Sequence, residues 1–239
     1  MNNVKFGIAS YKRPECRTVQ TLVEAGVDKA DIFISTQTEE DYEQYAKRHD
    51  VQVFFEKKDC AGGNRNTLIS RLNAPLMLLD DDITGFSSFI GGKWVKDTEN
   101  ALNRLKNDFS QAEANGCCCF GVSATTNGIV TRNRYEYDFD VLLQGTVIGL
   151  LDTRIRFDER WKMVEDYEIS LRVLRSGGKI MRNNYLCAIK PKNGTNAGGL
   201  HKRYADGELP HWISLLERTY PQFKANKEKT GGQIRREHR

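Results

Sequence analysis

Short apolar runs alternate with amphipathic segments through roughly the first eighty residues of the chain. The apolar runs predict β-strands over residues 4–9, 31–35, 51–55 and 75–79. Between them, helical spacing predicts α-helices over residues 15–25, 39–48 and 62–72, the first bounded by Pro14 and Gly26. Strands that alternate with helices through short connections predict an α/β fold, with a mostly parallel, Rossmann-like sheet flanked by helices.

The pattern is less regular in the rest of the chain. Helices are predicted over residues 97–115, 164–175 and 209–220, and extended segments over residues 117–124, 146–151 and 179–189. Gly194, Gly198 and Gly199 lie in a polar stretch that is not expected to form a regular element. No internal repeat and no linker interrupts the chain. We therefore predict a single domain over residues 1–223 and a basic tail over residues 224–239.

The composition is typical of a globular protein, with 39% hydrophobic and 28% charged residues. No apolar run approaches the roughly 18 residues that span a bilayer, and the N-terminus lacks the pattern of a secretory signal. A cytoplasmic location without membrane association is therefore expected. Six cysteines that form no CxxC pair argue against a zinc ribbon, a thioredoxin-like site and a disulfide scaffold.

The positive charge of the chain is concentrated at its C-terminal end. The net charge is +4, and the tail of residues 224–239 accounts for all of it, because the rest of the chain is balanced. A neutral body with a basic tail fits a polyanionic partner. The alternative is a solvated, partly disordered terminus without a partner.

Ligands of parallel α/β sheets bind beyond the carboxyl ends of the strands. The side chains predicted at that edge are a hydroxyl, two arginines, a glycine-rich turn and three carboxylates. Such a set fits a nucleotide diphosphate and a metal ion. They belong to Ser10, Arg13, Gly63, Arg65 and the aspartate triplet of Asp80, Asp81 and Asp82.

The aspartate triplet predicts a cation site, because three carboxylates at the end of a buried strand repel one another unless a cation lies among them. Oxygen ligands of this kind favour Mg²⁺ or Mn²⁺ over zinc. Alternate residues of an extended segment point the same way, so Asp80 and Asp82 can share the site while Asp81 faces elsewhere. The alternative is an acidic turn that caps a helix after Ile83.

Several short motifs, in this order along the chain, resemble those of GT-A glycosyltransferases. They are IASYKRP, GGNRN, LMLLDDDI, WKMVEDYEISLRVLRSGG and GGLH, and they cover roughly residues 4–203. The aspartate triplet stands in the place of the DXD motif of that fold. The resemblance implies a nucleotide-sugar donor, such as a UDP-sugar, and a bound Mn²⁺ or Mg²⁺.

The resemblance also implies roles for individual residues. Asp80 would lie near the donor ribose, with Asp82 on the metal and His201 as a further metal ligand. Cations and a hydroxyl would lie near the nucleotide or its diphosphate. In this sequence those are Ser10, Arg13, Arg65, Lys202 and Arg203.

Sugar transfer to a hydroxyl requires a base, because a hydroxyl does not ionise at neutral pH. Glu165 and Asp166 are the candidates, and they differ by about 100° of rotation on a helix. The resemblance to GT-A enzymes, in which the second acidic residue is often the base, favours Asp166. The alternative is that both are first-turn acids placed favourably by the helix dipole.

Small size, the SYKRP and DDDI motifs and the basic tail are most similar to TET/JBP-associated glycosyltransferases. Those phage and eukaryotic enzymes are thought to glycosylate hydroxymethylated pyrimidines in DNA, so the resemblance implies a DNA acceptor. If a phage encodes the protein, the reaction is expected in the host cytoplasm. Basic and aromatic residues that could support a flipped base occur together at Arg132, Arg134, Tyr135 and Tyr137. The alternative for this segment is a strand-edge hairpin with alternating charge.

Other functions remain open at this point. The same class of enzyme could act on a saccharide, a lipid or a protein. A nucleotidyltransferase has a similar sheet, but the glycine-rich loop expected after its first strand is missing. A non-enzymatic nucleic-acid-binding module would leave the aspartate triplet and the Glu165–Asp166 pair unexplained. The donor sugar, the stereochemistry and the oligomeric state are not predicted.

Overall fold

The computed structural model describes residues 4–73, 75–191, 198–226 and 231–234. Its strands are β1 (Lys5–Ala9), β2 (Ile32–Thr36), β3 (Gln52–Phe55), β4 (Leu76–Asp80), β5 (Gly85–Ile90), β6 (Lys93–Lys96), β7 (Cys119–Ser123), β8 (Tyr137–Phe139), β9 (Val147–Leu150), β10 (Ile180–Ile189), β11 (Phe223–Asn226) and β12 (Gly231–Ile234). Its α-helices are α1 (Arg17–Glu24), α2 (Glu39–Arg48), α3 (Ala61–Arg71), α4 (Thr98–Ala114), α5 (Gly128–Arg132), α6 (Glu165–Arg175), α7 (His201–Ala205) and α8 (Leu209–Thr219). All the elements predicted between residues 4 and 79 occur, each within two residues of its predicted bounds.

One large twisted sheet organises the chain. Its ten strands lie in the order β3-β2-β1-β4-β9-β7-β10-β5-β6, and β8 pairs with β10 outside this path. The first four strands are parallel to one another. Among the described strands of this sheet, β5, β8 and β9 run opposite to the rest. The predicted α/β fold, with a mostly parallel sheet flanked by helices, is confirmed.

Strand β4 is buried on both faces, which explains its uninterrupted apolar sequence. Met77 and Leu79 pack with side chains of α1 and α4 on one face. Leu76 and Leu78 pack with side chains of α3 and α6 on the other. The two helical layers thereby hold the end of β4, and the aspartate triplet that begins there, in a fixed position.

Strand register brings the predicted ligand edge together. Ala9 of β1 lies beside Ser35 of β2 and beside Asp80 of β4. The loops that leave these three strands therefore begin side by side. The helices α3 and α6, which pack on the same face of the sheet, contribute their first turns nearby.

The sequence pattern does not predict β5, β6, β8, α5 or α7. Strand β5 carries Ser87 and Ser88, which are buried, so its sequence lacks the apolar pattern of a buried strand. Strand β8 has only three residues and pairs with the first half of β10. For the segment that begins at Arg132, the sequence left open a strand-edge hairpin as the alternative. Only Tyr137–Phe139 of this segment forms a strand.

The C-terminal part of the described chain forms a small separate sheet. Strands β11 and β12 pair with each other, and Phe223 packs with Leu216 and Tyr220 of the preceding segment against Trp161. The predicted boundary between domain and tail falls inside β11. Residues 227–230 and 235–239 lie outside the described residues, so the division into domain and tail stays a prediction.

Helix α4 is 17 residues long, and buried and exposed positions are interspersed along it. Within the described ranges no helix combines the length and the apolar character that crossing a membrane requires.

Candidate active site

A cleft of about 980 Å³ opens at the carboxyl ends of β1 and β4, beside the first turns of α3 and α6 and beside α7. It lies at the edge of the sheet where a ligand was predicted. Of the predicted site residues, which the structure all describes, every one except Gly63 lines it. The lining residues are Ser10, Arg13, Arg65, Asp80, Asp82, Glu165, Asp166, His201, Lys202 and Arg203.

Asp80 is held between two cations. Its carboxylate accepts a hydrogen bond from Arg65 Nη2 at 3.0 Å and another from Lys190 Nζ at 2.8 Å. Burial would raise the pKa of Asp80, but the charges of Lys190 and Arg65 outweigh it and hold the pKa below its usual value. Asp80 is therefore an ionised group at neutral pH.

Asp81 points into the loop between β1 and α1. Its carboxylate accepts hydrogen bonds from Ser10 Oγ at 2.5 Å and from Arg13 Nη1 at 2.8 Å, and Ser10 also contacts the buried hydroxyl of Tyr45. Burial raises the pKa of Asp81 to about 6, against the lowering effect of Arg13. Asp81 thereby fixes both Ser10 and Arg13 at the wall of the cleft.

Asp82 is half-buried, and its carboxylate lies 3.3 Å from Arg13 Nη1. Arg13 therefore bridges Asp81 and Asp82. The charge of each carboxylate in the triplet is thus balanced by at least one neighbouring guanidinium or ammonium group. Such a balance keeps three acidic side chains together at one edge of the sheet.

Arg65 lies deeper than the sequence suggested. Its side chain is 4% exposed, and its guanidinium donates to Glu165 Oε1 and to the carbonyl oxygen of Gly145, besides Asp80. The guanidinium also lies over the ring of Phe157, 5.4 Å from its centroid. Arg65 thus connects the end of β4 with the start of α6.

Gly63 lies in the first turn of α3, where its N–H donates to Sγ of Cys60. A Cβ on Gly63 would lie 3.0 Å from Cδ of Lys58 and 3.2 Å from the carboxylate of Glu159. The absence of a side chain lets the Lys58–Glu159 ion pair pack against the helix. Gly63 therefore shapes the wall behind the cleft, and its predicted contact with the donor stays a prediction.

Glu165 and Asp166 differ in their surroundings. Glu165 is buried and paired with Arg65. Asp166 is half-buried, and its two carboxylate oxygens accept hydrogen bonds from the backbone N–H of Gly145 at 2.7 Å and of Tyr167 at 2.9 Å. Burial, and then the charge of Glu165, raise the pKa of Asp166 to about 6. This places its protonation close to neutral pH.

Helix α7 is anchored to the loop after β1. The N–H of Gly199 donates to the carbonyl of Tyr11 at 3.0 Å. Gly198 has φ +82°, and a Cβ there would lie 2.6 Å from the carbonyl oxygen of Lys12, so only glycine fits this approach.

The anchored helix brings three predicted residues to the cleft. His201 and Lys202 are exposed, while Arg203 is half-buried and donates to Glu208. Gly194 lies outside the described residues.

Lys190 and Tyr204 are among the cleft residues that the sequence did not predict. Lys190 directly follows β10, far along the chain from its partner Asp80. Tyr204 lies on α7, and burial, and then the charges of Asp166 and Glu165, raise its pKa to about 12. The lysine of the IKPK segment at the end of a predicted strand was the available signal for Lys190.

The basic and aromatic residues of segment 132–137 do not line the cleft. Arg132, Arg134 and Tyr135 are exposed, and Arg132 donates to the carbonyl of Gly92 in the turn between β5 and β6. The hydroxyl of Tyr137 instead donates to Asp108, which burial brings to a pKa of about 7. Tyr137 therefore belongs to the interior rather than to the exposed group.

One cleft of this GT-A-like sheet contains a carboxylate triplet with its cations and a separate acidic pair on a helix. These are the parts of a nucleotide-sugar-dependent glycosyltransferase. The family model of the TET-associated glycosyltransferases matches residues 8–199. The chain belongs to this family. The resemblance inferred from the sequence motifs is thereby confirmed.

A search of curated proteins finds no match. Among solved structures, residues 1–349 of S. aureus TarS in complex with UDP are 15% identical, with a TM-score of 0.44, over 76% of this chain and 59% of that one. The chain thus spans less than two thirds of that structure. CMP:2-keto-3-deoxy-manno-octonic acid synthetase complexed with CTP is 10% identical, with a TM-score of 0.44, over 88% of this chain and 99% of that one.

Proposed function

We propose that this glycosyltransferase moves a sugar from a UDP-sugar to the hydroxyl group of a 5-hydroxymethylpyrimidine in DNA, with the help of Mn²⁺ or Mg²⁺. The observation that carries the proposal is that the aspartate triplet and Asp166 line one cleft. The triplet supplies charge for binding a nucleotide diphosphate with its metal, and Asp166 supplies a proton acceptor. A DNA acceptor would be met in the cytoplasm.

The ligand set of the cleft fits a metal ion that binds together with the donor. Asp80, Asp82 and His201 all line the cleft, and in the part of the chain that the structure describes no three such side chains are already grouped around one point. An ion bound with a diphosphate needs only one or two protein carboxylates, because phosphate oxygens complete its shell. Asp82 would hold it, with His201 as a further ligand and with Asp80 once one of its oxygens exchanges its contact with Arg65 or Lys190 for the ion. When bound, the ion neutralises the charge that develops on the leaving diphosphate.

Protein cations support donor binding beside the metal. Arg13 is fixed by Asp81, while Lys202 and Arg203 lie on α7 at the same cleft. Positively charged side chains at such a site stabilise the diphosphate both in the bound donor and as it leaves. Ser10, held by Asp81, adds a hydroxyl for a polar contact with the nucleotide.

Asp166 fits the role of base better than Glu165 does. The acceptor oxygen attacks the anomeric carbon of the sugar, the bond from that carbon to the diphosphate oxygen breaks, and the acceptor proton passes to the base. A carboxylate with a pKa of about 6 is ionised at neutral pH and still takes up a proton readily. Glu165 is already engaged by the Arg65 guanidinium, and it remains the alternative base.

Exposed cations support a DNA acceptor. Arg132 and Arg134 are exposed close in the chain to Tyr135, which is 85% exposed and could stack on a base. Arg132 also donates to Gly92, which precedes the exposed Lys93. In the tail, Lys224 lies in β11, and the remaining basic residues lie outside the described residues. A duplex acceptor requires such contacts with its phosphates, and its target base must leave the stack to reach a cleft.

The direct test offers labelled nucleotide sugars with DNA that contains 5-hydroxymethylcytosine, 5-hydroxymethyluracil or neither. Label should enter only hydroxymethylated DNA, because an unmodified pyrimidine has no exocyclic hydroxyl. Label in a saccharide, lipid or protein acceptor, with all three DNAs blank, would assign the enzyme to the alternative acceptors. A chain that binds DNA but consumes no donor would instead be a non-enzymatic module.

The tail can be tested with a matched control. Replacement of Arg235, Arg236 and Arg239 by serine should weaken DNA binding and flatten its salt dependence by about 0.9 per lost phosphate contact. The same number of charges can be removed as a control at three exposed residues, namely Lys29 before β2, Lys47 near the end of α2 and Arg71 at the end of α3. Equal salt dependence in both variants would show that the tail does not contact DNA.

A further inference from the structure

Both terminal nitrogens of the Arg65 guanidinium donate to protein groups, and its Nε is buried without a hydrogen-bond partner among the described residues. Nη1 donates to Glu165, and Nη2 donates to Asp80 and to the carbonyl oxygen of Gly145, each at 3.0 Å. Phe157 lies against the guanidinium. A buried guanidinium with two carboxylates and a carbonyl as partners is strongly held, since charge-assisted hydrogen bonds are the stronger ones. Arg65 is therefore poorly placed to give these donors to a diphosphate.

Gly145 joins Arg65 to Asp166. Its carbonyl oxygen accepts from Arg65, and its N–H donates to Asp166 Oδ2 at 2.7 Å. A Cβ on Gly145 would lie 2.8 Å from Nη2 of Arg65 and 3.3 Å from its Cζ. The guanidinium can approach the backbone this closely only because residue 145 is glycine.

The connection extends to both acidic groups of the cleft. Through Glu165, Arg65 holds the first residue of α6, and Asp166 follows directly. Through Asp80, it holds the end of β4. The orientation of the Asp166 carboxylate thus depends on α6 and on Gly145, and Arg65 contacts both.

We infer that Arg65 and Gly145 act as positioning residues, which fix the Asp166 carboxylate relative to the aspartate triplet and do not bind the donor. The inference rests on the proposed function in one respect, namely that Asp166 is the base. It replaces the expectation that Arg65 contacts the diphosphate with a role in catalytic geometry. A base displaced by about 1 Å can cost about 10²-fold in rate.

Two variants address the inference from different sides. Arg65→Lys keeps a positive charge but cannot reach three partners with a planar fork. Gly145→Ala leaves Arg65 in the chain and pushes its guanidinium away. The matched controls are Arg48→Lys, in an exposed ion pair with Glu15, and Gly128→Ala, whose Cβ would meet only a ring carbon of Phe89, at 4.0 Å.

Both test variants should bind UDP as the wild type does, by calorimetry, while the kcat for donor hydrolysis without DNA falls about 10²-fold. Both controls should match the wild type in both measurements. Weaker UDP binding with an unchanged kcat in Arg65→Lys would make Arg65 a donor contact and overturn the inference.

A spectroscopic measurement keeps this test independent of turnover. The N–H of Gly145 donates to a carboxylate, so its amide proton resonance should lie far downfield in the wild type and move upfield in Asp166→Asn. The same upfield shift is expected in Arg65→Lys if Arg65 positions this contact. An unmoved resonance in Arg65→Lys would overturn the inference, even if the wild type proved to use no sugar donor and the proposed function failed.

Discussion

Three carboxylates lie at the end of β4 and two begin α6, and these two acidic groups are stabilised differently within one cleft. In the aspartate triplet, Lys190, Arg65 and Arg13 each contact at least one carboxylate. The pKa of Asp80 is accordingly held below its usual value. Within the same triplet, burial raises the pKa of Asp81 to about 6 in spite of the Arg13 charge. In the proposed function, this group of mixed charges binds the diphosphate and the metal ion.

At the start of α6, the single cation Arg65 contacts Glu165, while Asp166 relies on two backbone N–H groups. Burial and the neighbouring charge of Glu165 then raise the pKa of Asp166 to about 6. Asp80 and Asp166 thus show that the pKa of the same functional group is lowered where two cations contact the carboxylate and raised where only backbone N–H groups do. Variants in the two groups should therefore affect different steps.

The largest effect is expected from Asp82. Asp82→Ala, like an excess of EDTA, should remove nearly all transfer, because the metal would lose a carboxylate ligand and the diphosphate its counter-charge. Asp50→Ala, at an exposed aspartate paired with Lys29, is the control and should retain wild-type activity. Undiminished turnover in excess EDTA would show that transfer does not require a metal ion.

A smaller effect is expected from Lys190. Lys190→Met should weaken UDP binding about tenfold, which corresponds to roughly 1.4 kcal/mol, because Asp80 loses one of its two counter-charges. Lys29→Met removes an ammonium group from an exposed ion pair and should leave binding unchanged. Calorimetry with UDP measures both. Equal affinities would show that Lys190 only stabilises the fold.

The smallest effect is a shift in pH dependence. Asp166 must be ionised to accept a proton, so kcat should fall as the pH decreases through about 6, about tenfold per unit below it. Asp81 also has a pKa raised to about 6. Glu165→Gln distinguishes Asp166 from Asp81, because loss of the charge beside Asp166 should lower its pKa and move the acidic limb of the kcat–pH profile to lower pH. If the acidic limb of the kcat–pH profile does not move in Glu165→Gln, the limb reports the ionisation of Asp81.

The sequence supported prediction of the parallel half of the sheet and of the ligand edge. Strand β4 could be recognised because both its faces are buried, and α2 because its residues have helical spacing. The aspartate triplet could then be placed because it follows that strand directly. Local pattern was sufficient where each strand leads straight into its helix.

The remaining features depend on contacts between distant parts of the chain. Lys190 reaches Asp80 only because β10 lies in the same sheet, and Arg65 turns inward only because α6 packs beside α3. Tyr137 looked like part of an exposed cluster, whereas pairing of β8 with β10 carries it to Asp108. Such partners are set by tertiary packing, which the spacing of residues along the chain does not encode.

The most direct test of the difference between the two acidic groups is Asp166→Asn, measured for UDP affinity and for sugar transfer in the same preparation. The Kd for UDP should be unchanged, while transfer should fall about 10²–10⁴-fold, the usual contribution of a positioned base. A severe loss of sugar transfer in Glu165→Gln, with only a small loss in Asp166→Asn, would contradict the assignment of Asp166 as the base. Loss of UDP binding in Asp166→Asn would contradict the separation of binding from proton transfer.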